Sequence, residues 1–174
     1  MERVEISELD REPHPMGVNT ERRDVGTALG TEDVGVVHYE LDPGEQFSGG
    51  LHTHHDQEEV FYILAGTATF EHHHPEADRT ESGGHPRDHT ETTDVEAGEV
   101  MRFEPGEFQC GRNEGEDVVV GLAVGAPGRR HEWTELESFA PCGDCGEVTS
   151  HGVREPDESF VIYCNECGAE TQVA

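Results

Sequence analysis

Short runs of Val, Phe, Tyr and Ile between Gly, Pro and Asp punctuation predict an all-β fold, a barrel or a sandwich. Two C-x-x-C pairs near the C-terminus, Cys142/Cys145 and Cys164/Cys167, predict a small module stapled by a metal ion. At 174 residues the chain suits one ordinary domain plus such an appendage, rather than two full domains.

Val34 to Leu41 (VGVVHYEL) reads as one strand, and Asp42-Pro43-Gly44 closes it with a type II turn signal. Glu59 to Leu64 (EVFYIL) reads as a second and Thr67 to Phe70 (TATF) as a third, with Ala65-Gly66 as the bend between them. Phe61, Tyr62 and Ile63 are ordinary barrel packing. Glu99 to Phe103 runs into another turn at Glu104-Pro105-Gly106, and Val118 to Val124 reads as the last barrel strand. Between them the chain is polar over 71–97, which predicts a mobile inserted loop. Gly125-Ala126-Pro127-Gly128 marks the exit from a barrel spanning 1–132. A linker and the cysteine module take up 133–174, with Thr134 and Glu137 offering a capping box for one short helix near Trp133.

The 39 acidic residues face only 11 basic ones, all arginine, for a formal net charge of -28. In dilute buffer that charge strains a compact fold; at about 1 M salt the screening length shrinks to roughly 3 Å and the repulsion fades. The acids are spread along the chain rather than blocked into a tail, so the composition predicts a folded protein of a salt-loaded cytoplasm. A grip on phosphate backbones needs clustered Arg and Lys, so no nucleic-acid partner is expected. The opening MERVEISELDREPHP has no apolar core, and no signal peptide is expected. The longest apolar stretch, around Val60 to Gly66, is too short to span a bilayer, so no membrane partner is expected either. Cysteine pairs of this spacing fit a metal site in a reducing compartment better than a disulfide framework.

The sharpest chemistry lies in Gly50-Leu51-His52-Thr53-His54-His55-Asp56-Gln57-Glu58-Glu59. In a strand, alternate side chains share a face, so His52 and His54 point one way while Thr53 and His55 point the other. Two imidazoles so placed clasp one divalent ion, and Glu59 at the start of the next strand supplies a carboxylate. Two His and one carboxylate is the arrangement of non-haem iron oxygenases, though Mn, Ni, Cu or Zn also suit it. By the same alternation Glu58 and His55 face away.

At these residues the chain resembles the cupin superfamily. The first cupin motif appears as Gly49 or Gly50, His52, His54, Glu59 and Gly66. The second appears as Gly98, Pro105, Gly106 and Asn113, with Gln109 where the family's histidine stands. The resemblance covers roughly Val34 to Val124 and implies a jelly-roll β-barrel with a metal inside. Gln109 departs from the pattern: a neutral amide oxygen coordinates a borderline metal more weakly than imidazole, or holds a bound water or substrate oxygen by hydrogen bonding. Pairing of cupin barrels through their outer strands implies a homodimer.

Cys142-Gly143-Asp144-Cys145-Gly146 and Cys164-Asn165-Glu166-Cys167-Gly168 are matching knuckles. Each brings two thiolates to one side of a tight turn, and the trailing Gly takes the positive φ that turns backbone N–H groups toward sulfur. With a hairpin of Glu147 to His151 and Ser159 to Tyr163 between them, this resembles a zinc ribbon. A closed four-thiolate Zn site has a structural job and supplies folding energy that about forty residues lack. A rubredoxin-like iron site is the alternative. His151 reads as a surface residue.

Other residues have plain readings. His72, His73, His74, His85 and His89 read as a solvated insertion rather than a loose Ni or Zn site. Cys110, next to Gln109, reads as a small buried hydrophobe. Arg102 precedes Gln109 and meets either a carboxylate substrate or a surface acid. Two functions follow. One is a metalloenzyme oxidising a small organic substrate, with His52, His54 and Glu59 on the metal and Gln109, with Arg102, orienting substrate. The other is a non-catalytic sensor of metal or metabolite whose ribbon docks on a protein partner; Arg154 is the ribbon's single basic residue.

Overall fold

The computed structural model describes residues 1–14, 16–73, 90–130, 132–154 and 160–173. Its strands are β1 (Glu21–Asp24), β2 (Gly35–Leu41), β3 (His52–His54), β4 (Glu58–Ala65), β5 (Thr67–His73), β6 (Glu91–Glu96) and β7 (Val100–Phe103). They continue as β8 (Phe108–Arg112), β9 (Val119–Ala126), β10 (Leu136–Pro141), β11 (Val148–Arg154), β12 (Phe160–Cys164) and β13 (Glu170–Val173). Among the described residues a single short α-helix, α1 (Val25–Leu29), follows β1. A five-stranded sheet runs β1-β2-β9-β4-β7 and an eight-stranded sheet runs β13-β12-β11-β10-β3-β8-β5-β6. The barrel is an all-β jelly roll, and the ribbon strands β11 to β13 extend one of its sheets through β10.

Strand alternation builds the core. In β4, Phe61 and Ile63 are buried while Tyr62 and Leu64 are exposed. The inward residues of both sheets, among them Tyr39, Leu41, Phe61, Ile63, Phe70, Val95, Phe103 and Val119, form one cluster around Phe47. The Phe47 ring centroid lies 5.0 Å from Tyr39, 5.3 Å from Phe61 and 5.7 Å from Phe70. Such edge and offset contacts add to the roughly 1.5–3 kcal/mol that burying each ring contributes. A second cluster of Leu51, Phe108 and Cys110, with Phe139 against it, lies on the other face of β8.

Both Pro-Gly turns form as the sequence predicts: Glu45 N–H donates to Asp42 O and Glu107 N–H to Glu104 O, each at 3.0 Å. Gly66 has φ +75°, and a Cβ there would come 2.7 Å from Val118 O. Only glycine fits that bend between β4 and β5.

Several elements differ from the sequence reading. β1 and α1 were not foreseen, although Asp24 caps the helix by accepting from Thr27 N–H at 2.7 Å, and Gly30 ends it in the left-handed region. The polar span 71–97 carries strand at both ends: 71–73 complete β5, and β6 pairs with β5 from Thr67↔Glu96 to His72↔Glu91. β6 is an edge strand, so only Val95 needs to be apolar, and its acids guard the open edge. The remainder of that span, 74–89, with His74, His85 and His89, lies outside the described residues. The capping box does not form. Residues Trp133–Glu135 make one 3-10 turn without a side-chain cap, and Glu137 lies in β10, where pairing with β3 overrides the local helix signal. No described helix is long and apolar enough to cross a membrane.

Candidate metal centre

His52 and His54 share the barrel-facing side of β3, as alternation requires, with ring centroids 5.0 Å apart. The His52 Nδ1–H donates to Gly50 O at 2.9 Å, which fixes the tautomer and leaves Nε2 bare toward the interior. Burial holds the His52 pKa below its ordinary value, keeping the imidazole neutral. Glu59 enters from β4 on the face that also carries Phe61 and Ile63, and its Oε2 lies 3.6 Å from His54 Nε2. Burial pushes the Glu59 carboxyl up to about 7, partly offset by the Gln109 amide, which donates to Oε2 at 2.8 Å. One donor atom from each of His52, His54 and Glu59 lies within 4.8 Å of the others.

Gln109 stands opposite His52 in the β3–β8 register. Its amide nitrogen lies 3.4 Å from His52 Nε2, so it spans two of the three donors. Its Oε1 is buried and accepts no hydrogen bond from the described residues. That is a costly state for an amide oxygen, and an incoming donor or cation would relieve it. A cavity of about 10 Å³ opens beside His54, Glu59, Phe103, Glu104, Glu107 and Gln109, room for one water or one ion. Two imidazole nitrogens, a carboxylate and an orphaned amide oxygen fit a divalent transition metal ion.

The neighbouring candidates point elsewhere. His55 reaches out to Glu137 at 2.9 Å. Glu58 faces outward and accepts from Arg102 at 2.8 Å, and Arg102 also pairs with Glu104. Arg102 therefore does not line the cavity. Cys110 is buried on the far side of β8 from Gln109, with its thiol toward Gln46.

His72 and His73, expected in a solvated insertion, lie in β5 instead, and His14 had no reading at all. His72 sits in β5 directly across from Gln109, its Nε2 2.9 Å from Thr93 Oγ1 and its ring 6.3 Å from Phe103. The alternation Ala68, Phe70, His72 carried that signal. His14, on the N-terminal arm beside Gly49, has its pKa lowered by burial first, then by the charge of Arg22. Nothing in the sequence places that arm.

The cysteine knuckles meet as their spacing predicts. Cys142 Sγ lies 3.6 Å from Cys167 Sγ and Cys145 Sγ 3.9 Å from Cys164 Sγ. A tetrahedral ion with metal–sulfur bonds of about 2.3 Å spaces its thiolates about 3.8 Å apart. Gly146 and Gly168 take φ values of +76° and +74°. The Thr149 hydroxyl lies 3.1 Å from Cys164 Sγ, and its hydrogen bond to the thiolate lowers the Cys164 pKa. His151 is buried, not on the surface as its polarity suggested, because its Nδ1 meets Thr149 O at 2.9 Å on the inner side of β11. Arg154 is paired with Glu170 and lies over the Tyr163 ring.

Fold and donor set together define a double-stranded β-barrel with a candidate metal site inside it. Residues 37–125 match the Cupin domain family, and the chain belongs to it. No curated protein matches the sequence. Among solved structures, a sugar phosphate isomerase of the cupin superfamily from Silicibacter pomeroyi is 16% identical. It superposes with a TM-score of 0.58 over 98% of this chain and 92% of its own. A proposed sugar phosphate isomerase from Acidithiobacillus ferrooxidans is 17% identical, with a TM-score of 0.56 over 97% and 86%. An uncharacterized protein with a double-stranded β-helix domain from Klebsiella pneumoniae is 23% identical, with a TM-score of 0.50 over 74% and 91%. These likenesses are of fold.

Proposed function

We propose that this cupin is a metalloenzyme that holds one divalent transition metal ion on His52, His54 and Glu59 and oxidises a small organic molecule. The convergence of those three donors, within 4.8 Å of one another beside the orphaned Gln109 Oε1, carries the reading. A metal ion held there supplies Lewis-acid and, where the metal is redox-active, electron-transfer chemistry. His52 and His54 present neutral nitrogens, and Glu59 offsets the ion's charge once its proton leaves. Gln109 has two roles open to it by rotation of its amide: Oε1 turned inward completes the ligand set, and the amide nitrogen left in place orients a substrate oxygen. Phe103 closes the cavity on its apolar side.

Sugar phosphate isomerisation fits the wall less well. A phosphate needs a cationic grip. The described wall carries Glu104 and Glu107 and no arginine. The four cysteines hold a Zn ion in this reading. The exposed Tyr62 and Val100, paired across β4 and β7, offer an apolar outer face for a second copy, and light scattering in high salt would detect a homodimer.

Metal analysis of the purified chain, followed by oxygen uptake with phenolic and keto-acid substrates, tests the function. A redox-active metal lost in His52→Ala, with substrate-dependent uptake lost alongside it, is the expected result. One zinc per chain and an empty barrel would sink it. A metal-filled barrel with ligand binding but no turnover would favour the sensor.

A further inference from the structure

The ribbon is joined to the ligand-bearing strand more closely than an appendage requires. β3 has only three residues, and its register with β8 is the single pair His52↔Gln109. Its register with β10 is three pairs: Leu136↔His54, Glu137↔Thr53 and Ser138↔His52. The pairing continues at both ends, where His55 N–H donates to Glu135 O at 2.9 Å and Phe139 N–H to Leu51 O at 3.0 Å. A strand this short has little hold of its own. Most of its backbone attachment is therefore to β10, which runs directly into Cys142.

Side chains make a second link. Glu137 on β10 accepts His55 Nε2–H at 2.9 Å through one carboxylate oxygen and the Ser150 hydroxyl through the other. Asn165 Nδ2 donates to Ser150 Oγ at 2.6 Å, and Asn165 N–H donates to Ser150 O at 2.9 Å. Asn165 lies inside the second knuckle, between Cys164 and Cys167. An unbroken chain of hydrogen bonds thus runs from the residue beside His54 to the four-cysteine centre.

We infer that the four-cysteine centre sets the position of His52 and His54, with Glu137 as the positioning residue between them. Metal in the ribbon orders Asn165, Ser150 and β10, and β10 in turn holds β3 in the conformation that aims both imidazoles inward. The two centres are then thermodynamically coupled, so filling one tightens the other by the same factor. The affinity half of this inference rests on the barrel metal proposed above; the strand-order half does not.

The test uses the full chain in high salt with its four-cysteine site zinc-filled, comparing wild type, Glu137→Ala, Ser150→Ala and Glu137→Gln. Amide exchange of the 51–56 segment reads the order of β3 without any barrel metal. Co(II) titration, followed by the visible bands of a nitrogen- and oxygen-ligated ion, reads barrel affinity. Glu137→Ala and Ser150→Ala are expected to speed exchange at Thr53 and His54 and weaken Co(II) about tenfold while retaining one zinc, within the range usual for coupled sites. Glu137→Gln keeps an acceptor for Ser150 and a hydrogen-bonding group toward His55, and should restore both readings. Wild-type exchange in Glu137→Ala, or in zinc-stripped wild type, would overturn the inference. Exchange that responds as expected in a chain whose barrel takes no Co(II) supports the positioning role and removes the proposed function instead.

Discussion

The two candidate metal sites of this chain are built on opposite plans. In the ribbon, four identical soft donors come from two local turns, each spanning four residues, and their sulfurs sit at tetrahedral spacing. In the barrel, donors of different kinds come from β3, β4 and β8, and strand register rather than a turn brings them together. The ribbon site is saturated by its own ligands. The barrel site has one side turned to a cavity and one amide oxygen without a partner. A closed site supplies folding energy, and an open one leaves room for another molecule.

The largest effect should come from breaking the closed site. Cys164→Ser, or strong chelation, removes a structural metal whose apparent binding energy runs to about 10–16 kcal/mol in small zinc modules. Amide exchange should then show β11 to β13 unprotected while the barrel core around Phe47 holds; equal loss across the whole chain would mean that the comparison is drawn in the wrong place. Next comes the open site. His52→Ala or His54→Ala should lower the metal count from two to one per chain, a larger loss of barrel affinity than the roughly 10- to 100-fold typical of outer-shell changes. Circular dichroism should stay as in wild type, because neither imidazole belongs to the hydrophobic clusters.

Gln109→His sharpens the contrast by closing the barrel site. Imidazole is the better donor, so Co(II) should bind about an order of magnitude more tightly. An unchanged titration would place residue 109 outside the coordination sphere.

The smallest effect is a pH dependence. Burial raises the folded-state pKa of Glu59 to about 7 from its ordinary 4.5. The protonated form is the one the metal-free fold favours. The stability it contributes is full below about pH 4.5 and is lost as pH rises through 7. A cation at the site reverses the preference. The rise in Tm on adding metal should be greater at pH 8 than at pH 6, and an equal rise at both would show that Glu59 is not a ligand.

The barrel donors were legible because they obey local rules. His-x-His alternation, the Glu59 spacing and the Gly66 bend each follow from a period of two or from a positive φ. The knuckles were legible for the same reason. Arg102 was assignable too, since Phe103 faces inward and its neighbour must face out. What escaped was set by distant partners. β6 (ETTDVE) is too polar to announce itself and forms because β5 offers an edge. β10 (LESFAP) has no strong pattern and forms between β3 and β11. The capping signal at Thr134 lost to that pairing, and no local rule brings the His14 arm beside Gly49.

Because β10 covers one edge of β3, the barrel cannot be cut free cleanly. A chain ending at 132 would leave the backbone groups of His52 to His54 unpaired on that side. It would also uncover Leu51 and Phe108, against which Phe139 packs with ring centroids 4.6 Å apart from Phe108. An open strand edge beside an apolar patch is a template for joining other chains. The truncated barrel should therefore form larger assemblies than the full chain, above all in high salt, where the mutual repulsion of its many acids no longer keeps copies apart.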